Sequence, residues 1–298
     1  MTDVDLLRTR ADLTRLEPLR AAAAPLVLVP TMGALHAGHL ALVRRARELG
    51  DPVVSIFVNP TQFAAGEDFA AYPRDLERDL ALLEPLGVAA VFAPAVDEMY
   101  ARDGGVMVQP GPAAQGLCGG RRPGHFAGVL TIVLKLLHLI RPEIAIFGRK
   151  DAQQCLVIAE MVRDLDVPVR LLDLPTVREP DGLAMSSRNA YLSPAGRRRA
   201  RCLSDALAAA RTALEAGERA PARLAAAMAA ALAAADSVEY AEVRRVPDLA
   251  VPARAEGRLL LAVAARIEPA RLIDNLVVQV DAGGVRETSL LDDREATA

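Results

Sequence analysis

The chain has 298 residues, of which 52% are hydrophobic, and its formal net charge is -3. The length suits one large domain or two of ordinary size, and the slight acidity argues against a nucleic-acid binder, which usually carries a basic surplus. The three cysteines are odd in number and widely spaced, which argues against a disulfide framework and a cysteine metal cluster and favours thiols in a reducing cytoplasm.

Short apolar runs alternate with amphipathic runs as far as residue 175. The apolar runs predict buried strands at residues 25–30, 52–60, 88–94, 143–148 and 167–175. Helical spacing predicts helices at residues 39–50, 74–87, 128–140 and 151–165. Strand and helix in turn predict an α/β fold, a Rossmann-like parallel sheet with helices on both faces. Ligands of such sheets bind beyond the carboxyl ends of the strands.

The pattern changes near residue 176, where a polar and turn-rich segment begins. Helical runs at residues 194–215 and 221–235 precede strand-like runs at residues 238–246, 258–267 and 275–280. We therefore predict a first domain over residues 1–176 and a smaller C-terminal α+β domain over residues 177–283. Residues 284–298 show no periodic pattern, and we expect a disordered tail there.

Two features bear on membranes and export. The N-terminal segment MTDVDLLRTR carries acids and lacks the apolar core of a signal peptide. The longest apolar run, residues 128–140, is interrupted by Lys135 and His138 and is too short to span a bilayer. We expect a cytoplasmic protein that binds no membrane, with His138 as a core histidine on an apolar helix face.

The segment VPTMGALHAGH places His36 and His39 where a strand gives way to a helix. The first helical turn has unpaired N–H groups and attracts anions, and Gly33 and Gly38 allow a tight turn and a close ligand. A neutral imidazole in that field donates one N–H to a phosphate oxygen. Two alternatives are a histidine metal pair, although no carboxylate or cysteine lies nearby at ligand spacing, and histidines that only cap the helix.

Two further polar loops strengthen the phosphate hypothesis. Lys150 follows the strand at residues 143–148 and would reach a phosphate; alternatively it is a surface lysine beside the helix cap Asp151. The segment AMSSRN offers two hydroxyls and Arg188, which holds phosphate by two parallel hydrogen bonds; alternatively it is an ordinary turn with a solvated arginine. Each signal is weak, and together they predict a triphosphate site.

These motifs carry a family resemblance. HAGH resembles the H-x-G-H signature of the nucleotidylyltransferase superfamily, and MSSR resembles its K-M-S-K-S-type loop. Within it, six segments in order resemble the pantothenate synthetase family, the ATP-dependent pantoate–β-alanine ligases. They are VPTMGALHAGH, SIFVNPTQF, YPR, RPGHFAGV, FGRKDAQQ and DGLAMSSRNAYLS, with a weaker continuation in RLIDN.

The resemblance implies a two-step reaction. The carboxylate of pantoate attacks the α-phosphate of MgATP and expels pyrophosphate, and the amine of β-alanine then attacks the acyl adenylate, releasing AMP and pantothenate. It implies ATP and Mg²⁺ in the reaction and a homodimer. We expect Mg²⁺ to be carried mainly on the ATP phosphates, we assign no protein residue as a metal ligand, and we expect the C-terminal domain to close over the ATP site.

The resemblance also implies site residues. The catalytic set is His39, His36, Lys150 and Arg188. The ATP-binding set is Met32, Gly33, Ala34, Leu35, His36, Ala37, Gly38, His39, Gly148, Arg149, Lys150, Asp151, Val177, Met185, Ser186, Ser187 and Arg188. Gln62 and Gln154 are expected to bind pantoate, and Gln62 is also expected to contact the β-alanine side of the site. Gln153 is expected to be a solvated glutamine, because adjacent helical residues point in different directions.

Some positions remain open. Arg149 stands where the resemblance leads us to expect Glu or Gln, which bears on ATP affinity. Arg122 and His125 either face the substrate or tie their loop to the sheet. The small residues 64–66 predict a lid over the reacting groups.

Three rival classes share part of this pattern. An adenylyltransferase that leaves the nucleotide on its product shares HAGH and the serine loop, although NPTQF and RPGHFAGV argue against it. A tRNA-charging enzyme uses the same two loops but needs a basic tRNA-binding domain. A non-catalytic nucleotide-binding module is disfavoured by the intact His36, His39, Lys150 and Arg188.

Overall fold

A computed structural model describes residues 4–64, 66–67, 69–100 and 105–291. The chain divides into two compact units. The first is built from residues up to 148 and residues 154–174, and the chain returns to it at Leu291. The second is built from residues 149–153 and 175–290. The division after Leu174 lies close to our boundary at 176, but the five residues 149–153 group with the second unit, which differs from our single first domain.

The first unit is built on a sheet of six parallel strands in the order β1-β4-β3-β2-β5-β6. The strands are β1 Asp5–Leu7, β2 Leu26–Thr31, β3 Asp51–Ile56, β4 Ala90–Phe92, β5 Ile144–Gly148 and β6 Arg170–Leu174. The predicted Rossmann-like α/β fold is confirmed, and the short edge strand β1 adds to the predicted strands. The strand order reverses between β2 and β5, which is where open parallel sheets bind ligands.

Helices surround this sheet. They are α1 Glu17–Arg20, α2 Ala37–Leu49, α3 Leu76–Leu83, α4 Val96–Met99, α5 Leu117–Arg121, α6 His125–Ile140 and α7 Ala152–Asp164. Helix α2 buries Leu42, Val43 and Ala46 against strand residues such as Val27 and Val54. It ends at Gly50, where a Cβ would lie 2.0 Å from the carbonyl oxygen of Pro25.

The second unit packs helices on an antiparallel sheet in the order β10-β9-β8-β7. Its elements are α8 Pro194–Ala200, α9 Cys202–Glu215, α10 Pro221–Ala231, β7 Ser237–Arg245, β8 Gly257–Ile267, β9 Ala270–Asp281 and β10 Gly284–Glu287. The alanine-rich α10 buries Leu224 and Met228 in a core that includes Val263 and Val278. The α+β prediction for the C-terminal part is confirmed.

The predicted disordered tail is wrong at its start. Gly284 pairs with Asp281, so β10 folds back on β9 through a two-residue turn. Gly284, the first residue after the turn, has φ +108°, a conformation that favours glycine and that no periodic pattern reveals. Residues 292–298 of the predicted tail lie outside the described residues.

Helix α6 also corrects one expectation. It buries eleven of its sixteen residues, but His138 is exposed and is not a core histidine. Lys135 and His138 are three residues apart, so they share the one face of the helix that is not buried. No helix in the described part of the chain is long and apolar enough to cross a membrane.

Candidate active site

The loop between β2 and α2 is shaped by two residues with positive φ and one buried carboxylate. Gly33 has φ +80° and Ala34 has φ +49°, both in the left-handed region. The Asp79 carboxylate accepts hydrogen bonds from the Ala34 N–H at 2.9 Å and from the Leu35 N–H at 2.8 Å. A Cβ at position 33 would lie 3.0 Å from Asp79 Oδ2, so both the turn and the close approach favour glycine.

Asp79 lies on α3 with only 1% of its surface exposed. Burial raises the pKa of its carboxyl above the ordinary value, and the N–H groups of Leu35 and Ala34 oppose that rise. Because a buried N–H needs a partner, the carboxylate stabilises the backbone of a loop that runs beside the first turn of α2.

The two histidines of the loop engage the first turn of α2. His36 is the N-cap residue, and its Nδ1 accepts a hydrogen bond from the Gly38 N–H at 3.2 Å. The Nδ1 of His39 accepts one from the His36 N–H at 3.4 Å. The rings stack with centroids 4.1 Å apart and planes 28° from parallel. The capping alternative is therefore present in the structure.

These backbone hydrogen bonds decide where each imidazole carries its proton. A ring nitrogen that accepts from an N–H is unprotonated, so the neutral ring carries its proton on Nε2. His36 and His39 therefore each provide an Nε2–H donor. Residues 4–64, 66–67, 69–100 and 105–291 contain no group of three His, Cys, Asp or Glu side chains able to hold a metal ion.

Gln62 is held through both ends of its amide at the end of the short 3-10 helix Pro60–Gln62. Its Oε1 accepts a hydrogen bond from Asn59 Nδ2 at 3.0 Å, and its Nε2 donates to Met32 Sδ at 3.0 Å. The side chain of Gln62 is buried. The structure thus brings the residue predicted to bind pantoate against the first residue predicted to line the ATP site.

Asn59 fixes the orientation of that amide. Its Oδ1 accepts hydrogen bonds from the Thr61 N–H at 3.3 Å and from the Tyr100 hydroxyl at 2.7 Å. Its Nδ2 donates to the carbonyl oxygen of Gly128 at 3.1 Å. Because a backbone N–H only donates and a carbonyl only accepts, these contacts set which end of Asn59 is oxygen, and Asn59 then sets which end of Gln62 is oxygen.

Arg122 and His125, next to the start of α6, hold the loop that carries Gln62. Arg122 donates to both carboxylate oxygens of Glu67, at 2.7 and 2.6 Å. His125 Nδ1 lies 2.8 Å from the carbonyl oxygen of Gln62 and must donate, so its Nε2 accepts from Arg122 Nη1 at 2.9 Å. These contacts join the pair to the segment that carries Gln62 and Glu67 and not to a strand of the sheet, and contact of either side chain with the substrate stays a prediction. The predicted lid includes Ala65, which lies outside the described residues.

In the second unit, Asn275 of β9 holds the turn Arg149–Asp151. Its Nδ2 donates to the carbonyl oxygen of Arg149 at 3.0 Å and to that of Lys150 at 2.8 Å. Arg149 is buried, Lys150 is half-buried and Asp151 is exposed. The turn directly follows Gly148, the last residue of β5, as the sequence predicts.

The glutamine pair after this turn corrects one expectation. Gln153, predicted to be solvated, is only 6% exposed, whereas Gln154 is half-buried. Six of the first seven residues of α7 are buried, so nearly every direction at its first turn leads into the protein. The difference in direction between adjacent residues therefore does not place Gln153 in solvent.

The serine loop is the end of a small hairpin in the second unit. Arg178 bridges Ala184, and the Met185 N–H donates to the carbonyl oxygen of Val177 at 3.0 Å. Ser186 Oγ then accepts from the Arg188 N–H at 3.3 Å and caps the 3-10 helix Ser187–Tyr191. The predicted ATP residues of this region are thus neighbours in space, and the ordinary capped turn is observed together with them.

Comparison with known proteins decides the family. The family model described as Pantoate-beta-alanine ligase matches residues 5–277. The chain belongs to the pantoate–β-alanine ligase family. It is 53% identical over 283 residues to the pantothenate synthetase of Thioalkalivibrio sulfidiphilus, a match that covers 93% of this chain and 99% of that relative.

Solved structures agree. A pantothenate synthetase from Thermus thermophilus superposes with a TM-score of 0.86 at 45% identity, covering 92% of this chain and 99% of that one. A pantoate–β-alanine ligase from Francisella tularensis, complexed with beta-gamma ATP and beta-alanine, superposes with a TM-score of 0.76 at 31% identity, covering 92% and 97%.

Family membership confirms the resemblance, and with it the predicted activity, the ligation of pantoate to β-alanine. The three rival classes, an adenylyltransferase, a tRNA-charging enzyme and a non-catalytic nucleotide-binding module, are thereby excluded as the main function.

Sequence reasoning missed two residues that organise this candidate site. Asp79 lies on the helix face that also carries Leu76 and Leu83, where an isolated acid is a signal of a buried partner. Asn59 directly precedes a proline and caps the 3-10 helix, which the sequence does indicate. Its bond to Gly128, 69 residues away, is not visible from spacing.

Proposed function

We propose that the chain joins pantoate to β-alanine in two steps, through a pantoyl adenylate formed from ATP. A carboxylate oxygen of pantoate attacks the α-phosphorus and pyrophosphate leaves; the amine of β-alanine then attacks the acyl carbon and AMP leaves. The observation that carries this proposal is the pair of neutral imidazoles at the N-terminus of α2, each with an Nε2–H donor fixed by a backbone hydrogen bond. A relative complexed with beta-gamma ATP and beta-alanine supports both ligands.

Charge is the difficulty of the first step, because a carboxylate approaches a polyphosphate. Two imidazole N–H donors and the positive end of α2 stabilise the negative charge that develops on the α-phosphate and on the departing pyrophosphate. Among the predicted residues, His39 is assigned to the reacting phosphate and His36 to the cap that supports it. Lys150 and Arg188 are assigned to the remaining phosphate charge.

The hydroxyl groups of pantoate are uncharged and are suited to hydrogen bonds with uncharged side chains. Gln62 is assigned to pantoate because its amide is oriented by Asn59, so its remaining donor and acceptor capacity has a fixed direction. Gln154 is assigned to the same substrate, and Gln62 also to the β-alanine side. Held amides of this kind bind hydroxyls without a charge that would oppose release of the product.

Three further assignments are proposals. With no group of three metal ligands among the described residues, Mg²⁺ is assigned to the nucleotide phosphates, whose charge it offsets when bound. A homodimer is proposed from the family resemblance. A cytoplasmic location is a separate proposal, and the buried thiols of Cys118, Cys155 and Cys202 fit a reducing compartment. Closure of the C-terminal part over ATP stays a prediction.

The decisive experiment separates the two steps. The purified chain is incubated with ATP, Mg²⁺ and pantoate, and pyrophosphate and pantoyl adenylate are measured; β-alanine is then added, and AMP and pantothenate are measured. His39→Ala is expected to slow adenylate formation by about 10²- to 10⁴-fold, the range for loss of a group that stabilises transition-state charge.

His138→Ala is the matched control, because this histidine is exposed on α6 and takes no part in the proposed site. It should form adenylate at the wild-type rate. A His39→Ala enzyme that is equally fast would contradict the role assigned to His39, and pyrophosphate release without AMP on addition of β-alanine would contradict the two-step reaction.

A further inference from the structure

Strand β9 carries two adjacent buried polar residues that the proposed chemistry does not use. Asp274 is 2% exposed and Asn275 is 6% exposed, on a strand that also places Val278 and Val280 in the apolar core of the second unit. Successive side chains of a strand point to opposite faces, so the pair reaches two different partners. Both partners are segments assigned above to the ATP site.

Asn275 holds the backbone on both sides of Lys150. Its Nδ2 donates to the carbonyl oxygen of Arg149 at 3.0 Å and to that of Lys150 at 2.8 Å. These carbonyls belong to the two peptide groups that flank the Lys150 Cα. One amide nitrogen therefore restricts the two dihedral angles from which the lysine side chain departs.

Asp274 holds the hairpin that leads to Arg188. Its carboxylate accepts two hydrogen bonds from Arg178, at 2.6 and 3.0 Å, and Arg178 also donates to the carbonyl oxygen of Gly182 at 3.1 Å. Asp274 Oδ1 also accepts a hydrogen bond from the Asn275 N–H at 2.8 Å. A bidentate pair between an arginine and a buried carboxylate restrains both side chains.

We propose that Asp274 and Asn275 are positioning residues for adenylate formation, in which one dipeptide of β9 sets the backbone of Lys150 and the hairpin before Arg188. The proposal rests on the phosphate roles assigned above to these two cations. Their common anchor fixes two separate segments of the second unit to one strand. Positive groups that act on a transferring phosphate must be held in place before the reaction, since reorganisation during the step would reduce their effect.

The amide of Asn275 is only half used. Its Oδ1 is buried and has no hydrogen-bond partner among the described residues. An unsatisfied buried acceptor is destabilising. Within the described residues, the side-chain hydrogen bonds of Asn275 are therefore made by the donor end of its amide, the end that holds the backbone around Lys150.

The test is Asn275→Ala, measured in the two steps separately. Adenylate formation, followed as pyrophosphate release in a single turnover, should slow by about 10- to 100-fold, as expected for a small displacement of a charged group. Capture of prepared pantoyl adenylate by β-alanine should change by less than about 3-fold, because pyrophosphate has already left. Gln279→Ala, on the same strand and only half-buried, is the control and should leave both steps unchanged.

A double-mutant cycle distinguishes positioning from general damage. If Asn275 acts through Lys150, Asn275→Ala should slow adenylate formation by less than about 2-fold further in a Lys150→Ala background. The proposal would be overturned if Asn275→Ala slowed adenylate formation by the same factor in the wild-type and in the Lys150→Ala enzyme. An Asn275→Ala enzyme with the wild-type adenylation rate would also overturn it. Asp274→Asn, cycled against Arg188→Ala, tests the other half in the same way.

Two further outcomes have separate meanings. Lys150→Ala with unchanged adenylation would contradict the role proposed for Lys150 itself, and with it the premise of this inference. If Asn275→Ala fails to fold, as judged by circular dichroism, Asn275→Asp keeps the size of the side chain but replaces the donor by an acceptor. A folded Asn275→Asp enzyme with wild-type adenylation would refute the positioning role.

Discussion

Gly128→Ala is a small change with a consequence that can be worked from the structure. Gly128 lies in α6 against the loop that carries Gln62. A Cβ at this position would lie 2.3 Å from the carbonyl oxygen of Thr61 and 2.7 Å from the backbone N of Gln62. Contacts of a Cβ essentially never fall below 3.0 Å, so the loop or the helix must move apart by at least about 0.7 Å.

Two opposing energies decide the effect on stability. Alanine in a helix interior is favoured over glycine by about 0.5–1 kcal/mol. Overpacking against backbone atoms costs about 1–3 kcal/mol, and the hydrogen bond from Asn59 Nδ2 to the Gly128 carbonyl is displaced with the helix. The overpacking term is the larger, so we expect Gly128→Ala to lower the free energy of unfolding by about 1 kcal/mol.

The effect on the reaction should exceed the effect on stability. The displaced segment carries the amide of Gln62, assigned to pantoate, and a misplacement of this size costs up to about 10²-fold in rate. The assay is adenylate formation as a function of pantoate concentration, with unfolding by urea measured in parallel. We expect a raised KM for pantoate and a lowered kcat in an enzyme that is still folded.

Gly120→Ala is the matched control, because it is a helical glycine whose Cβ would meet nothing within 4 Å. It should leave the kinetics unchanged. If Gly128→Ala also kept the wild-type KM and kcat, either the packing of α6 on this loop or the assignment of Gln62 would be wrong.

The remaining predictions concern the two carboxylates that hold the site loops. In Asp79→Asn, the N–H of Ala34 or of Leu35 faces an NH₂ group and loses its acceptor. Loss of that charged hydrogen bond costs about 1.5–3 kcal/mol, which outweighs the relief of a buried charge. The rate of adenylate formation and the free energy of unfolding in urea should therefore both fall. Burial raises the pKa of the Glu67 carboxyl, but the Arg122 guanidinium lowers it by more than burial raises it. The pKa of Glu67 in the folded protein therefore lies below the ordinary 4.5. Its contribution to stability is therefore present above pH 4.5 and lost as the pH falls below it; unfolding curves between pH 3 and 6 should show a smaller pH dependence for Glu67→Gln, and an unchanged dependence would contradict the pairing.

The strands and the principal helices of the sheet could be predicted because their signals are local. The run at residues 143–148 is apolar and bounded, and the structure places β5 at Ile144–Gly148. The start of α2 is equally local, since the partners that cap it lie within three residues of each other. Family motifs then added the activity, which periodicity and composition do not contain.

What could not be predicted depends on contacts between distant residues. Asp79 is 45 positions from Ala34, and Asn275 is 125 positions from Lys150. Nothing in the spacing of these residues relates them, because the fold alone brings their segments together. The errors at Gln153 and His138 have the same origin: their neighbours in sequence do not determine their exposure, because burial depends on the elements that pack around a helix.

Backbone groups orient several side chains of the candidate site. The Gly38 N–H fixes the tautomer of His36, and the His36 N–H fixes that of His39. The Thr61 N–H fixes the amide of Asn59, which orients Gln62. A backbone N–H cannot reverse its polarity, so each orientation is set by the fold before a substrate arrives. Donors fixed in this way need not reorganise as charge develops. With the roles proposed for His36, His39 and Gln62, this preorganisation is what would let neutral side chains act around an anionic reaction.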